Sequence, residues 1–215
     1  MSEKGAITLY YSERVALALE EGHIPYDTIG FELVDKPDWY KEKVYPPAKV
    51  PYLVCGGPKL QPGDAPPPDV PQLGELLVIL EFLADAFPSA RLLPPNPFLR
   101  AKARLFCRAV EEKCYPAFRA VFFKQAPKED LYAAVEHIQG LLPPDSGFAV
   151  GEWSTADAVF LPVYLRWTTL MQRYLEESMA RLSAKKTWDL ASVKPKLVRR
   201  LDFFLAQAQK GQQQD

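Results

Sequence analysis

What the chain has little of narrows it first. It carries three cysteines, Cys55, Cys107 and Cys114, and no two of them form a CxxC pair. An odd, scattered set makes a poor disulfide framework. Cys107 and Cys114 fall two helical turns apart on an apolar stripe, which reads as buried small hydrophobes. The only two histidines, His23 and His137, are far apart and lack zinc-ligand spacing, so no metal site is expected. Charge of one sign is also lacking: 26 basic side chains meet 27 acidic ones. That balance gives no electrostatic reason to expect nucleic acid or an anionic membrane as partner. No apolar run approaches the ~20 residues of a membrane span. The opening MSEKGAITLYY is not laid out as a signal peptide, and the expected location is cytoplasmic.

What is present is an ordinary hydrophobic share, 48%, in 215 residues. That suffices for one large domain or two modest ones with a real core. The first third alternates element types. AITLYY has the β-branched and aromatic character of a short buried strand. SERVALALEEG follows almost at once, with Ser12 placed to cap a helix and Gly22 to close it. YDTIGFEL predicts a second strand after Pro25, and DKPDWYKEKV one or two helical turns opened by Pro37. VPYLVC and PKL flank Gly56-Gly57, a hairpin signal. The proline-dense stretch Pro62 to Pro71 cannot sustain ladder or helix bonds and is expected to be an exposed loop. QLGELLVILEFLADAFP predicts an apolar helix ending at Pro88. The order βαβ, α, ββα predicts a mixed sheet with helices on its faces.

From about Phe98 onward nothing reads as a strand. LRAKARLFCRAVEEKCYPAFRAVFFK sets Ala103, Phe106, Cys107, Val110 and Cys114 on one stripe, with Lys102, Arg104 and Arg108 facing elsewhere. Pro116 inside that pattern is expected to kink or break the helix. Further helices are expected over EDLYAAVEHIQGLL, TADAVFLPVYLRWTTLMQRYL and KPKLVRRLDFFLAQ. In GEWSTADAVFLPV, Ser154 and Asp157 have capping-box spacing: the Ser154 hydroxyl accepts from the Asp157 N–H, and Asp157 reaches back to the Ser154 N–H. The stretch from Pro88 to Pro97 predicts an ordered, extended connector.

Three segments, in this order, resemble the glutathione transferase family. They are YPPAKVPYL (Tyr45 to Leu53), ELLVILEFLADAFP and GEWSTADAVFLPV. The phrases LALEE and GFAVG give the chain a look similar to fungal omega-like members, over roughly residues 6 to 206. The resemblance implies an α/β thioredoxin-like N-terminal domain plus an all-α C-terminal domain. The domains it implies are 1–88, expected to bind glutathione, and 98–215, joined by a linker over 89–97.

The resemblance also assigns site residues. The Val50-Pro51 bond is expected to be cis, leaving Val50 to offer its N–H and C=O to the extended tripeptide. Lys49 is placed to reach the glycine carboxylate of glutathione, and Glu75, at a helix start, the γ-glutamyl amino group. The family usually follows that acid with Ser or Thr, and here Leu76 stands instead. Losing a hydroxyl bond to a charged group costs on the order of 1.5–3 kcal/mol. The loop before the first helix is also short for the family: only Tyr11, Ser12 and Glu13 separate Tyr10 from Arg14, and no cysteine is among them. Ser12 is the candidate catalytic hydroxyl, and it serves equally well as a plain helix cap. Tyr10 and Tyr11 are alternatives, one facing the core and the other the cleft. Tyr11, Tyr115, Phe118, Phe122 and Trp167 are the candidates for a hydrophobic ligand site between the domains.

The expected function is binding of glutathione, as co-substrate, and of small hydrophobic electrophiles by a cytoplasmic homodimer, with activity weakened by the short loop and Leu76. The rivals are a non-catalytic hydrophobic ligand-binding protein and an assembly module on the same fold.

Overall fold

The computed structural model describes residues 5–144 and 147–179, with side chains of the last helix described through Arg166 and at Thr168. The helix expected over residues 194–207 lies outside the described residues, as does the Trp167 side chain. By contacts the chain forms two units: Met1–Cys107 with Ser154–Pro162, and Arg108–Trp153 with the chain from Val163 onward.

The first unit is built on a four-stranded mixed sheet of order β2-β1-β3-β4. β1 (Ile7–Tyr10) runs parallel to β2 (Asp27–Ile29) and antiparallel to β3 (Tyr52–Cys55), which pairs antiparallel with β4 (Gln72–Gly74). All four residues of β1 are buried, as a central strand covered on both faces requires. Leu9 lies opposite Leu53 and points to one face, while Tyr10 lies opposite Tyr52 and points to the other. Helices α1 (Glu13–Glu21) and α2 (Leu76–Ala86) pack on each other through apolar faces that include Val15, Ala18, Leu19, Ile79, Leu80 and Leu83. This is the thioredoxin-like arrangement that the element order predicts.

Several local expectations change in the folded chain. Gly56 and Gly57 do adopt positive φ, 117° and 78°, but they do not close a hairpin with PKL. Instead they continue the pairing with β1: Ala6 donates to Gly57 O at 3.1 Å, and Gly56 donates to Ala6 O at 3.0 Å. The true partner of β3 is β4, beyond the proline-dense loop. That loop is largely exposed, as expected. Pro71 lacks an N–H, yet its carbonyl accepts from Cys55 N at 2.9 Å, which suits a proline at the start of an edge strand. Helix α2 therefore begins at Leu76, not at Gln72, whose segment is spent on β4. β2 is shorter than the stretch YDTIGFEL, because pairing with β1 ends at Ile29. Gly22 caps α1 in right-handed geometry, and His23 takes the left-handed φ of 49° instead. The expected turn at Pro37 is present and is wound as a π-turn over Tyr40–Val44. The connector starts with a short 3₁₀ turn, Pro88–Ala90, and so is not extended throughout.

α3 (Pro97–Ala109) starts where Asn96 accepts from the Phe98 and Leu99 N–H groups at 2.8 and 3.2 Å, with Pro97 in the first turn. It lies antiparallel to α2: Arg104 makes two bonds to Glu81, at 2.8 and 2.7 Å, and Arg100 meets Asp85 at 3.5 Å. The stripe Ala103, Phe106, Cys107, Val110 and Cys114 is buried throughout. Pro116 does not break the helical path. The turn before it widens to π geometry over Val110–Cys114, and α4 (Tyr115–Lys124) continues from there. A wider turn relieves the clash between a proline ring and the preceding turn. α5 (Glu129–Leu141) pairs with α4 in the second unit.

The last described helix, α6 (Thr155–Met179), opens on the expected box, with one bond changed. Ser154 N donates to Asp157 Oδ2 at 2.9 Å, but the Ser154 hydroxyl accepts from Ala156 N at 3.3 Å and not from Asp157. The Asp157 N–H turns to the Ser154 carbonyl, at 3.0 Å.

Candidate functional site

The register of the sheet assembles one end of the first unit. Tyr10, the last residue of β1, faces Tyr52, the first of β3, and Tyr52 faces Gly74, the last of β4. The chain segments that leave these three positions, 11–12, 49–51 and 75–76, therefore emerge at the same end of the sheet. Among the residues expected to bind glutathione, Lys49 and Glu75 are brought together: Lys49 Nζ lies 3.6 Å from Glu75 Oε1. Glu75 has φ 66° and ψ 118° and precedes α2 without capping it through its side chain. The first N–H groups of α2 have no partner within the helix, the arrangement that suits a helix N-terminus to an anion.

Between Lys49 and Glu75, the Val50-Pro51 bond is cis, as the resemblance implies. Val50 is half-buried against an aromatic cluster. Among the described residues its N–H and C=O have no hydrogen-bond partner. The cluster comprises Tyr10, Tyr40 and Tyr52 with Phe31, Trp39 and Tyr45 packed around it. Tyr45 stacks on Tyr52 with ring centroids 4.3 Å apart. Its hydroxyl also crowds Gly74, where an added Cβ would sit 2.5 Å away. A side chain at position 74 would therefore have to displace the Tyr45 ring. Tyr40 donates to the Lys49 carbonyl at 2.6 Å, and Tyr52 donates to Gln72 at 2.9 Å. These contacts were invisible in the sequence, where Tyr40 showed only as a member of a mixed helical turn and Tyr45 as the first residue of YPPAKVPYL.

Ser12 caps α1, its hydroxyl oxygen accepting from Val15 N at 3.2 Å. The cap uses a lone pair and leaves the hydroxyl proton free to be donated. Glu13 stands in the same first turn and opposes negative charge there. Tyr10 is fully buried and Tyr11, at φ 38°, is half-buried. Burial, with the Asp64 and Tyr52 charges adding to it, pushes the Tyr10 hydroxyl up to about 12. That hydroxyl has no partner among the described residues. Leu76 is 6% exposed, so its side chain belongs to the core.

The remaining candidates lie in the second unit. Phe118 is buried against Phe122, with centroids 4.7 Å apart, and Tyr115 lies under the Arg119 guanidinium at 5.9 Å. Among the described residues no group of acidic, histidine and cysteine side chains could hold a metal ion, and no helix is long and apolar enough to cross a membrane.

Comparison with known proteins bears on the family and the fold. The family model for the glutathione S-transferase N-terminal domain matches residues 10–91. Glutathione transferase Omega 1C from Trametes versicolor is 34% identical over 92% of this chain and 98% of its own, with a TM-score of 0.68. Omega 2S from the same fungus, solved in complex with 2,4-dihydroxybenzophenone, is 34% identical over 95% of this chain and 98% of its own, with a TM-score of 0.75. Among curated sequences, glutathione S-transferase omega-2 from Rattus norvegicus is 30% identical over 54% of this chain and 46% of its own length. The chain spans about half the length of the first curated relatives it matches. The fold, then, is that of a glutathione transferase. The chain belongs to the glutathione transferase family, and its solved neighbours include fungal Omega-class members.

Proposed function

We propose that the chain binds glutathione at the end of the sheet where Lys49, Val50 and Glu75 converge, and directs its thiol toward small hydrophobic electrophiles with weakened activity. The Lys49–Glu75 contact of 3.6 Å carries this reading, because it brings a cation and a carboxylate together beside an unpaired backbone. A tripeptide with a carboxylate at one end and an α-amino acid at the other offers each charge its own partner as the pair opens. Lys49 takes the glycine carboxylate, Val50 pairs with the tripeptide backbone, and Pro51 keeps the strand from closing over it. Glu75 takes the γ-glutamyl amino group, and the Leu76 N–H receives the γ-glutamyl carboxylate without help from a hydroxyl. The Ser12 hydroxyl donates to the thiolate, with the positive end of α1 behind it.

The same reading extends to the rest of the chain. Residues 1–88 form the glutathione-binding domain and 98–215 the helical one, joined by 89–97. The hydrophobic co-substrate is received by the aromatic side chains of the second unit, Tyr115, Phe118 and Phe122. The protein works as a cytoplasmic homodimer in detoxification. The complex of Omega 2S with 2,4-dihydroxybenzophenone supports an aromatic ligand.

A second reading, a non-catalytic ligand-binding protein, draws on Ser12 and Leu76: the one is occupied as a cap and the other is a core side chain. Calorimetric titration with glutathione and turnover of a chlorinated nitrobenzene separate the two. Weak binding with slow turnover supports the first reading, binding of aromatics without glutathione or turnover the second, and no glutathione binding removes the first.

A further inference from the structure

The segment between the π-turn and β3 is irregular, and little holds it. Ala48 sits at φ 51° with its N–H bonded to Tyr45 O at 2.8 Å, and ladder pairing resumes only at Tyr52. Across Lys49 and Val50, the hydrogen bond given to the backbone is the one from Tyr40, whose hydroxyl donates to the Lys49 carbonyl at 2.6 Å. Tyr40 is itself fully buried, with its ring 4.6 Å from that of Phe31 and 5.5 Å from that of Tyr10. The donor is therefore fixed before any ligand arrives. Burial raises the Tyr40 hydroxyl well above the usual tyrosine range, so it remains a proton donor at any physiological pH.

The Lys49 carbonyl and the Val50 N–H belong to one peptide plane. That peptide is trans, so the two groups point in opposite directions. Tyr40 draws the carbonyl toward the aromatic cluster, and the Val50 N–H must then point away from it. A short hydrogen bond to the carbonyl also polarises the same peptide group and makes its N–H a better donor. Resting on the glutathione reading above, we propose that Tyr40 is a positioning residue, which aims the Val50 N–H and the base of the Lys49 side chain at the bound tripeptide.

The test is glutathione titration of ¹⁵N-labelled protein, followed at the Val50 amide. Tyr40→Phe keeps the buried ring and removes only the hydroxyl. It should shift the Val50 amide in the free protein and weaken glutathione by about three- to tenfold, the effect of one hydrogen bond. Tyr10→Phe is the control, because it removes a hydroxyl of the same cluster that has no partner among the described residues. It should leave the dissociation constant unchanged. Unaltered affinity in Tyr40→Phe, or equal losses in both variants, overturns the role of Tyr40 while leaving glutathione binding in place. A wild type that shows no response to glutathione overturns the glutathione reading and this role with it. The Tyr40 hydroxyl proton, slowed by burial, gives a reading in the wild type should Tyr40→Phe fail to fold. It should shift along the same binding curve as the Val50 amide, and a proton that stays unmoved at saturation counts against the coupling.

Discussion

Lys49 and Glu75 meet 3.6 Å apart while their side chains stay 71% and 67% exposed. A pair so open to water is worth roughly 0–1 kcal/mol to the fold. Its interest lies in what the two charges do for a ligand. Lys49→Ala and Glu75→Gln should each leave the denaturation midpoint nearly unchanged while weakening glutathione. The wild-type affinity should also fall as salt rises, since exposed charges are screened over about 8–10 Å at physiological ionic strength. Titrations of the three proteins at low and high salt check this. A salt-independent affinity, or variants that lose stability and keep affinity, would count against the assignment.

Leu76 puts binding and stability in opposition. Leu76→Ser supplies the hydroxyl that the family usually has, at a position only 6% exposed. Truncating a buried leucine costs about 2–5 kcal/mol, while the new hydrogen bond to a carboxylate gains about 1.5–3 kcal/mol of binding. The variant should therefore melt earlier and bind glutathione at least tenfold more tightly. Chemical denaturation and calorimetry measure the two effects separately. A destabilised variant with unimproved affinity would show that the γ-glutamyl carboxylate does not lie there.

What was legible in the sequence follows from the range of each interaction. The box at Ser154 and Asp157 spans three residues, and its key bond could be anticipated from spacing alone; only the N–H that the Ser154 hydroxyl accepts from is different, that of Ala156, while the hydroxyl still donates to Asp157. The buried stripe from Ala103 to Cys114 was likewise written in helical periodicity. β4 was missed because three residues, Gln72, Leu73 and Gly74, carry no strand pattern and are held in place by β3 across a long loop. The glycine pair pointed to a hairpin because the turn geometry is local, whereas the choice of partner is not. Lys49 and Glu75 were each singled out, but by family resemblance, and the bond from Tyr40 to the Lys49 carbonyl depends on tertiary packing that no spacing encodes.

The aromatic cluster should make the protein sensitive to alkali. Burial holds Tyr10 at about 12 and Tyr40 higher still, against the usual ~10 of an unfolded chain. Between those values the unfolded state releases protons that the native state keeps, so stability falls as pH rises above about 10. Absorbance at 295 nm should show exposed tyrosines ionising first and the buried ones only with loss of structure. Tyr10→Phe, which deletes a hydroxyl with no partner among the described residues, should be neutral or stabilising by up to ~1 kcal/mol and shift the alkaline transition upward. A single reversible step near pH 10 with the fold intact would contradict both statements.

Thiol chemistry should separate the three cysteines. Cys107 and Cys114 are buried, and burial with the Glu111 charge pushes the Cys114 thiol up to about 11. Cys55 is only partly covered. A disulfide reagent at pH 8 should label Cys55 first, and the other two only in denaturant, because the reacting species is the thiolate. Rapid labelling of Cys114 in the native protein would show the stripe to be open.

The last prediction concerns self-association. Arg104 clasps Glu81 through two bonds of 2.8 and 2.7 Å, fixing α3 beside α2. Within a turn of that clasp stand two apolar side chains that the fold leaves out in solvent, Val78 at 51% and Leu105 at 57% exposed. Neither contributes much to the core, so both are free to serve a contact between copies. A two-fold contact uses the same patch on each protomer, and a patch with an apolar centre beside paired charges suits it. Sedimentation at micromolar concentration should give one species of twice the chain mass. Val78→Glu with Leu105→Glu should convert it to monomer with little change in secondary structure, since both side chains are exposed and like charges would meet across the axis. A wild-type monomer would remove the proposed dimer, and a double variant that remains dimeric would move the contact away from α2 and α3.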